Sequence, residues 1–92
     1  MTEKPGAAPA LALYYYEACP FCRRVLRVLA ELGRSIELRD IWADRRHLRD
    51  LIDGGGSRTV PCLRIEYADG RVEWQYESGI ICERLRTDLA VA

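Results

Sequence analysis

An unbroken apolar run, Ala10-Leu-Ala-Leu-Tyr-Tyr-Tyr16, leads into Cys19-Pro20-Phe21-Cys22 and then into apolar residues at helical spacing. That order of signals constrains the fold more than anything else in the chain. A run apolar at every position suits a strand covered on both faces, as in a parallel sheet. Pro20 suits the first turn of a helix, where no backbone N–H is needed. Cys22, Val25, Leu26, Leu29 and Leu32 then make one stripe, with Arg23, Arg24, Arg27, Glu31 and Arg34 between them. The pattern predicts an amphipathic helix ended by Gly33. The cysteine pair therefore falls where a buried strand turns into a helix.

The rest of the chain reads in the same way. Ile36, Leu38 and Asp40 alternate with Glu37 and Arg39, predicting a second, inward-and-outward strand. Asp44 is placed to cap a helix whose apolar face is Leu48, Leu51 and Ile52, with Gly54-Gly55-Gly56 stopping it. Leu63, Ile65 and Tyr67 alternate, Asp69-Gly70 is a hairpin turn signal, and Val72, Trp74 and Tyr76 alternate on the return strand. Ser78 is placed to cap a last helix facing inward with Ile81, Cys82, Leu85 and Leu89. The order is β-α-β-α-β-β-α. Its first half is a βαβ unit, whose strands are expected to be parallel with a right-handed crossover. Its second half is an antiparallel hairpin and a helix. The fold class is α/β, with a four-stranded mixed sheet flanked by helices.

Composition narrows the function. Ninety-two residues make one domain with a thin core and no space for a large internal cavity. Lys+Arg and Asp+Glu both number 14, and zero net charge argues against a nucleic-acid partner held by excess positive charge. The total conceals +3 over residues 1–49 and −3 over residues 50–92, and every basic residue except Lys4 is arginine. No apolar run reaches the length that spans a membrane. The Pro/Gly/Ala-rich residues 1–9 read as a flexible tail before a domain at 10–92. No signal peptide is read, because its apolar stretch would be the best strand. A cytoplasmic location is the default expectation.

Four cysteines then need a reducing-compartment explanation. A zinc site built from all four would need two close pairs, and Cys62 and Cys82 stand apart. A redox-active Cys19–Cys22 dithiol remains, with Cys62 and Cys82 as small core residues. The attacking species in sulfur exchange is the thiolate. At a helix N-terminus, unpaired N–H groups and the helix dipole favour an anion, and Arg23 and Arg24 add positive potential. The Cys19 pKa is expected to fall from about 8.5 into the ~3.5–7.5 range of such sites. Cys22, one turn on and on the inner face, is the resolving thiol; Cys19 is expected to be the exposed nucleophile.

Tyr14-Tyr15-Tyr16-Glu17-Ala18-Cys19-Pro20-Phe21-Cys22 resembles the active-site segment of glutaredoxins, in the thioredoxin-like fold. Thr59-Val60-Pro61 is similar to that fold's cis-proline loop. Tyr76-Glu77-Ser78 resembles the Glu-Ser pair of glutathione transferase N-terminal domains. The likeness covers about residues 10–87, with the three motifs in order. It implies a glutathione-dependent thiol–disulfide oxidoreductase that reduces glutathione mixed disulfides and protein disulfides. Cys19 and Cys22 would be catalytic, and Tyr16, Arg58, Thr59, Val60, Pro61, Glu77 and Ser78 would bind glutathione. A cis Pro61 would set the Val60 backbone beside Cys19, to pair with an extended peptide. The N–H groups at Ser78 would take a carboxylate and Glu77 an ammonium. Tyr16 stands where many dithiol glutaredoxins carry Lys; the subgroup resembling transferase N-terminal domains tends to an aromatic there. Arg58 is the candidate for the glycine carboxylate of glutathione.

Glutathione is expected as co-substrate, with no metal. Glutathionylated or disulfide-containing proteins are the expected partners of a monomer with no membrane or nucleic-acid contact. Thr87–Ala92 leaves no room for the second domain of a full transferase. His47 is read as a surface residue on the polar face of its helix, Trp42 as cover for the strand–helix connection, and Trp74 as core or hairpin face. Cys62 is either packing or a third redox thiol. Two other classes share these motifs: a non-catalytic glutathione-binding or iron–sulfur carrier module, and a thioredoxin-type disulfide reductase.

Overall fold

A computed structural model describes residues 9–89. The tail expected over residues 1–9 lies outside them except for Pro9. Strand β1 (Ala10–Tyr15) runs into helix α1 (Pro20–Leu32) and strand β2 (Glu37–Asp40). Helix α2 (Arg45–Asp50) continues as a π-helical turn over Leu51–Gly55. Strands β3 (Cys62–Glu66) and β4 (Val72–Gln75) precede helix α3 (Ser78–Asp88). The sheet order is β2-β1-β3-β4, with β1 parallel to β2 and antiparallel to β3, and β3 antiparallel to β4. This is the thioredoxin-like arrangement.

The register explains why β1 is apolar throughout. Leu13 pairs with Leu63 and Tyr14 with Cys62, so successive residues of β1 feed opposite faces of the sheet. Leu13, Leu63 and Ile65 meet Val25 and Leu29 of α1 and Ile81 and Leu85 of α3 on one face. Tyr14 and Cys62 meet Ile41 and Leu51 on the other. Each such apolar side chain contributes about 1.5–3 kcal/mol by burial. The sheet is thus a central layer, and the ends of β1 and β3 nearest Cys19 are fixed from both sides.

Several local expectations change. Tyr16 lies past the end of β1, and Tyr67 and Tyr76 past the ends of β3 and β4. Leu38 is exposed, because β2 is an edge strand and its middle is not covered. Ile52 is also exposed, since the switch from α to π hydrogen bonding at Leu51 rotates it out of the expected face. Gly54 and Gly55 do not stop that turn; Gly56, at φ +83°, does. A Cβ on Gly54 would run into the indole of Trp74, and one on Gly55 into the Tyr76 hydroxyl. The glycines there serve close packing on β4.

Ser78 is not the cap of α3. It is the first helical residue, and Glu77 occupies the cap position with φ +78° and no side-chain cap bond. A non-glycine residue at positive φ costs of order 1–3 kcal/mol and persists where its surroundings hold it. His47 is not simply a surface residue either. Its side chain is half-buried, edge-on to Tyr14 with ring centroids 6.4 Å apart, and its Nδ1 is buried without a partner.

Candidate functional site

Cys19 is the N-cap of α1, with extended backbone, and its own sulfur makes the capping contact: the Cys22 N–H donates to Sγ at 3.3 Å. Pro20 follows at the helix start, as its missing N–H allows. The Cys19 N–H donates to the Tyr16 carbonyl and the Arg23 N–H to the Cys19 carbonyl, so the loop closes tightly onto the first turn. The expected exposure of Cys19 is corrected here: the residue is only 4% exposed, and Cys22 is fully buried. Folding the strand–helix turn around the sulfur places it within the first helical turn.

The two sulfurs differ in setting. Burial pushes the Cys22 thiol up to about 12, with the neighbouring Cys19 adding to the rise and a backbone contact from Tyr16 opposing it. Arg23 and Arg24 make contacts of their own beside this turn. Arg23 Nε donates to the Glu17 carbonyl at 3.0 Å. Arg24 reaches across to α3, its Nη atoms 3.9 and 4.0 Å from where a Cβ on Gly79 would stand.

Around this turn lie two exposed aromatic features. Phe21 is 61% exposed and Trp42 66% exposed. Trp42 stacks on Tyr16, centroids 4.0 Å apart and planes within 12°. Its loop is held by Asp40, whose carboxylate accepts from the N–H groups of Trp42 and Ala43.

The Val60–Pro61 peptide is cis. Thr59, Val60 and Pro61 line a groove of about 240 Å³ together with Phe21, Tyr76, Glu77 and Ser78. Of the residues expected to bind glutathione, five therefore share one groove. Tyr16 and Arg58 do not line it; Tyr16 pairs with Trp42 instead, and Arg58 is exposed beside it in sequence. Phe21 and Tyr76 line it although the sequence reading assigned neither. Their signal was positional: Phe21 stands between the cysteines and Tyr76 directly before Glu77. The Tyr76 hydroxyl reaches the Ser57 carbonyl at 3.3 Å, tying the two walls together. Burial, then Cys62, pushes that phenol up to about 12.

Cys62 follows Pro61 but packs inward opposite Tyr14, and burial pushes its thiol up to about 11. Cys82 is buried in the other core layer. All four cysteines are unpaired. Among the described residues no helix is long and apolar enough to cross a membrane.

A thiol at the N-cap of the first helix, a second thiol one turn on and a cis-proline groove alongside define a thioredoxin-like protein with a cysteine-pair site. The chain belongs to the glutathione S-transferase N-terminal domain family, whose sequence profile matches residues 13–89. It is 42% identical over 64 residues to the chloroplastic Glutaredoxin-C4 of Oryza sativa subsp. japonica, across 65% of this chain and 47% of that protein. The chain thus spans about half the length of this curated relative. Maleylacetoacetate isomerase from Anaeromyxobacter dehalogenans 2CP-1, solved with glutathione in its active site, superposes with a TM-score of 0.64 at 28% identity, over 87% of this chain and 38% of that one. A wheat glutaredoxin shares the fold with a TM-score of 0.62 at 22% identity, over 91% of this chain and 82% of that one.

Proposed function

We propose that the protein is a glutathione-dependent thiol–disulfide oxidoreductase acting through Cys19 and Cys22. The observation that carries this reading is the Cys19 sulfur at the N-cap of α1, with Phe21, between the two cysteines, lining a groove that joins the cis-proline loop to the start of α3. The Cys22 N–H points at that sulfur at 3.3 Å, and the thiolate is the nucleophile in sulfur exchange.

In the mixed-disulfide reaction, the Cys19 thiolate attacks the glutathione sulfur of a glutathionylated thiol. A Cys19–glutathione disulfide forms, and the substrate sulfur leaves as a thiolate that takes a proton from solvent. A second glutathione thiolate then attacks the glutathione sulfur. Oxidised glutathione is released, and Cys19 returns as thiolate. With a protein disulfide, the Cys19–substrate bond forms first. The substrate S–S bond breaks as that bond forms, and the freed substrate thiolate is protonated at the expense of Cys22. The Cys22 thiolate attacks Cys19, the second substrate sulfur leaves as a thiolate that takes a proton from solvent, and a Cys19–Cys22 disulfide remains. Two glutathione molecules reduce that disulfide. Cys22, buried and raised in pKa, waits as a thiol until the mixed disulfide lies beside it.

Glutathione is proposed to lie in the groove as an added extended segment. The Val60 backbone pairs with its peptide, Glu77 faces its ammonium, and the N–H groups at Ser78 take the γ-glutamyl carboxylate. Tyr16 and Arg58, outside the groove lining, are assigned to its outer end. The proposed partners are glutathione and glutathionylated or disulfide-bearing proteins. The proposed state is a monomer in the cytoplasm, where the pair is kept reduced. Glutathione-dependent reduction of a small mixed disulfide, compared between wild type, Cys19→Ser and Cys22→Ser, tests the reading. Glutathione-independent turnover would turn it towards a thioredoxin-type reductase.

A further inference from the structure

The turn between β4 and α3 holds Glu77 at φ +78° without a side-chain cap of its own. The Glu77 carbonyl accepts from the Ile81 N–H at 2.9 Å, and the peptide on its other side is held from outside the turn. A polar relay crosses from α3 to that turn. Arg84 Nη1 donates to Gln75 Oε1 at 3.4 Å, and Gln75 Nε2 donates to the Tyr76 carbonyl at 2.8 Å. That carbonyl belongs to the peptide unit whose nitrogen is Glu77. Arg84 is anchored independently of the relay. The same Nη1 donates to Glu73 at 2.6 Å, and Nη2 donates to the Tyr67 hydroxyl, which itself donates to Glu73. Arg84, ahead of Tyr67, also holds the Glu73 carboxyl below the usual carboxylate range, so the anchor stays charged at neutral pH.

The guanidinium therefore joins the hairpin to the helix at one end and orients the Gln75 amide at the other. We infer that Arg84 is a positioning residue for the proposed glutathione groove, acting through Gln75 on the peptide that presents Glu77. This rests on the functional reading above, since it assigns Glu77 to the γ-glutamyl end. Arg84 does not line the groove, and its hydrogen bonds go to Glu73, Gln75 and Tyr67. Its loss should weaken glutathione recognition and leave sulfur exchange intact.

The test is steady-state kinetics with a glutathionylated small thiol and varied glutathione. Arg84→Met is expected to raise KM for glutathione about five- to twentyfold and leave kcat within about twofold. The pH dependence of Cys19 alkylation is expected to be unchanged. Gln75→Met should raise KM by a similar factor, and the double variant should add little to either single one. Tyr67→Phe removes an anchor contact but leaves the relay, so it should leave KM within about twofold even where it lowers Tm. A purely structural role for Arg84 predicts the opposite: KM would follow Tm across all the variants, and Tyr67→Phe would resemble Arg84→Met. An unchanged KM in folded Arg84→Met overturns the inference. If Arg84→Met does not fold, an unchanged KM in Gln75→Met overturns it. Wild type without glutathione-dependent turnover would overturn the functional reading and the inference with it.

Discussion

The Cys22 N–H donates to the Cys19 sulfur across 3.3 Å, so the residue that would resolve a mixed disulfide also holds the sulfur that would form one. That one backbone contact caps α1 and shapes the surroundings of the proposed nucleophile. The contact does not need the Cys22 side chain, because the backbone N–H makes it. Cys22→Ser should therefore leave the Cys19 setting in place.

The groove carries the second prediction. A hydrogen bond to a charged group contributes about 1.5–3 kcal/mol, which corresponds to roughly 10- to 150-fold in affinity. Glu77→Gln should raise KM for glutathione by about tenfold or more, with a smaller effect on kcat. Arg58→Glu should also raise KM, by less, since Arg58 is exposed and outside the groove lining. Initial-rate kinetics at varied glutathione separates the two, and an unchanged KM in Glu77→Gln would remove Glu77 from the site.

Stability should fall at high pH. Burial raises Cys22 to about 12 and Cys62 to about 11, against about 8.5 for an ordinary thiol. The folded chain keeps these protons after the unfolded chain has lost them, so stability is full below about pH 8.5 and declines as pH rises towards about 11 or 12. Each thiol contributes a slope of up to about 1.4 kcal/mol per pH unit. Urea denaturation at pH 8 and pH 10.5 should show a lower midpoint at the higher pH. Cys62→Ala should flatten part of that decline.

Gly54→Ala should destabilise the fold although only a methyl group is added. The new Cβ would meet the Trp74 indole, which lies against Tyr14 with centroids 5.6 Å apart. Overpacking of this kind costs roughly 1–3 kcal/mol. A lowered denaturation midpoint together with an altered near-ultraviolet signal would report a displaced Trp74. Gly33→Ala tests a different requirement, since nothing crowds its Cβ and only its φ of +66° is at issue.

The Tyr16–Trp42 stack should contribute about 0.5–1.5 kcal/mol. Trp42→Ala is expected to lower stability by an amount in that range, and to raise Tyr16 mobility beside the cysteine loop. A double-mutant cycle with Tyr16→Ala measures the coupling directly, and a coupling of zero would reduce the stack to coincidence.

How much of this the sequence carried depends on the range of the forces involved. The strand–helix turn at Cys19, the amphipathic face of α1 and the Gly33 stop follow from local pattern, and they were legible. So were the buried character of β1 and the grouping of Thr59, Val60, Pro61, Glu77 and Ser78, the last through family resemblance. Exposure was not legible. Leu38 alternates as an inward residue should, yet β2 is an edge strand, which only the sheet order reveals. Cys19 is expected outside by contrast with Cys22 on the inner face of α1, but its sulfur serves as a cap and the residue is buried. The cap of α3 was placed at Ser78, a good cap residue, whereas the chain uses Glu77 at positive φ, held through contacts from Gln75 and Arg84 that no local rule encodes.

The most direct test of the central claim is turnover of a glutathionylated small thiol by wild type, Cys19→Ser and Cys22→Ser under one glutathione concentration. Cys19→Ser is expected to lose activity to background. Cys22→Ser is expected to retain much of the wild-type rate, while losing most of its action on a protein disulfide. Activity persisting in Cys19→Ser would contradict the account, because no other sulfur sits at the cap of α1.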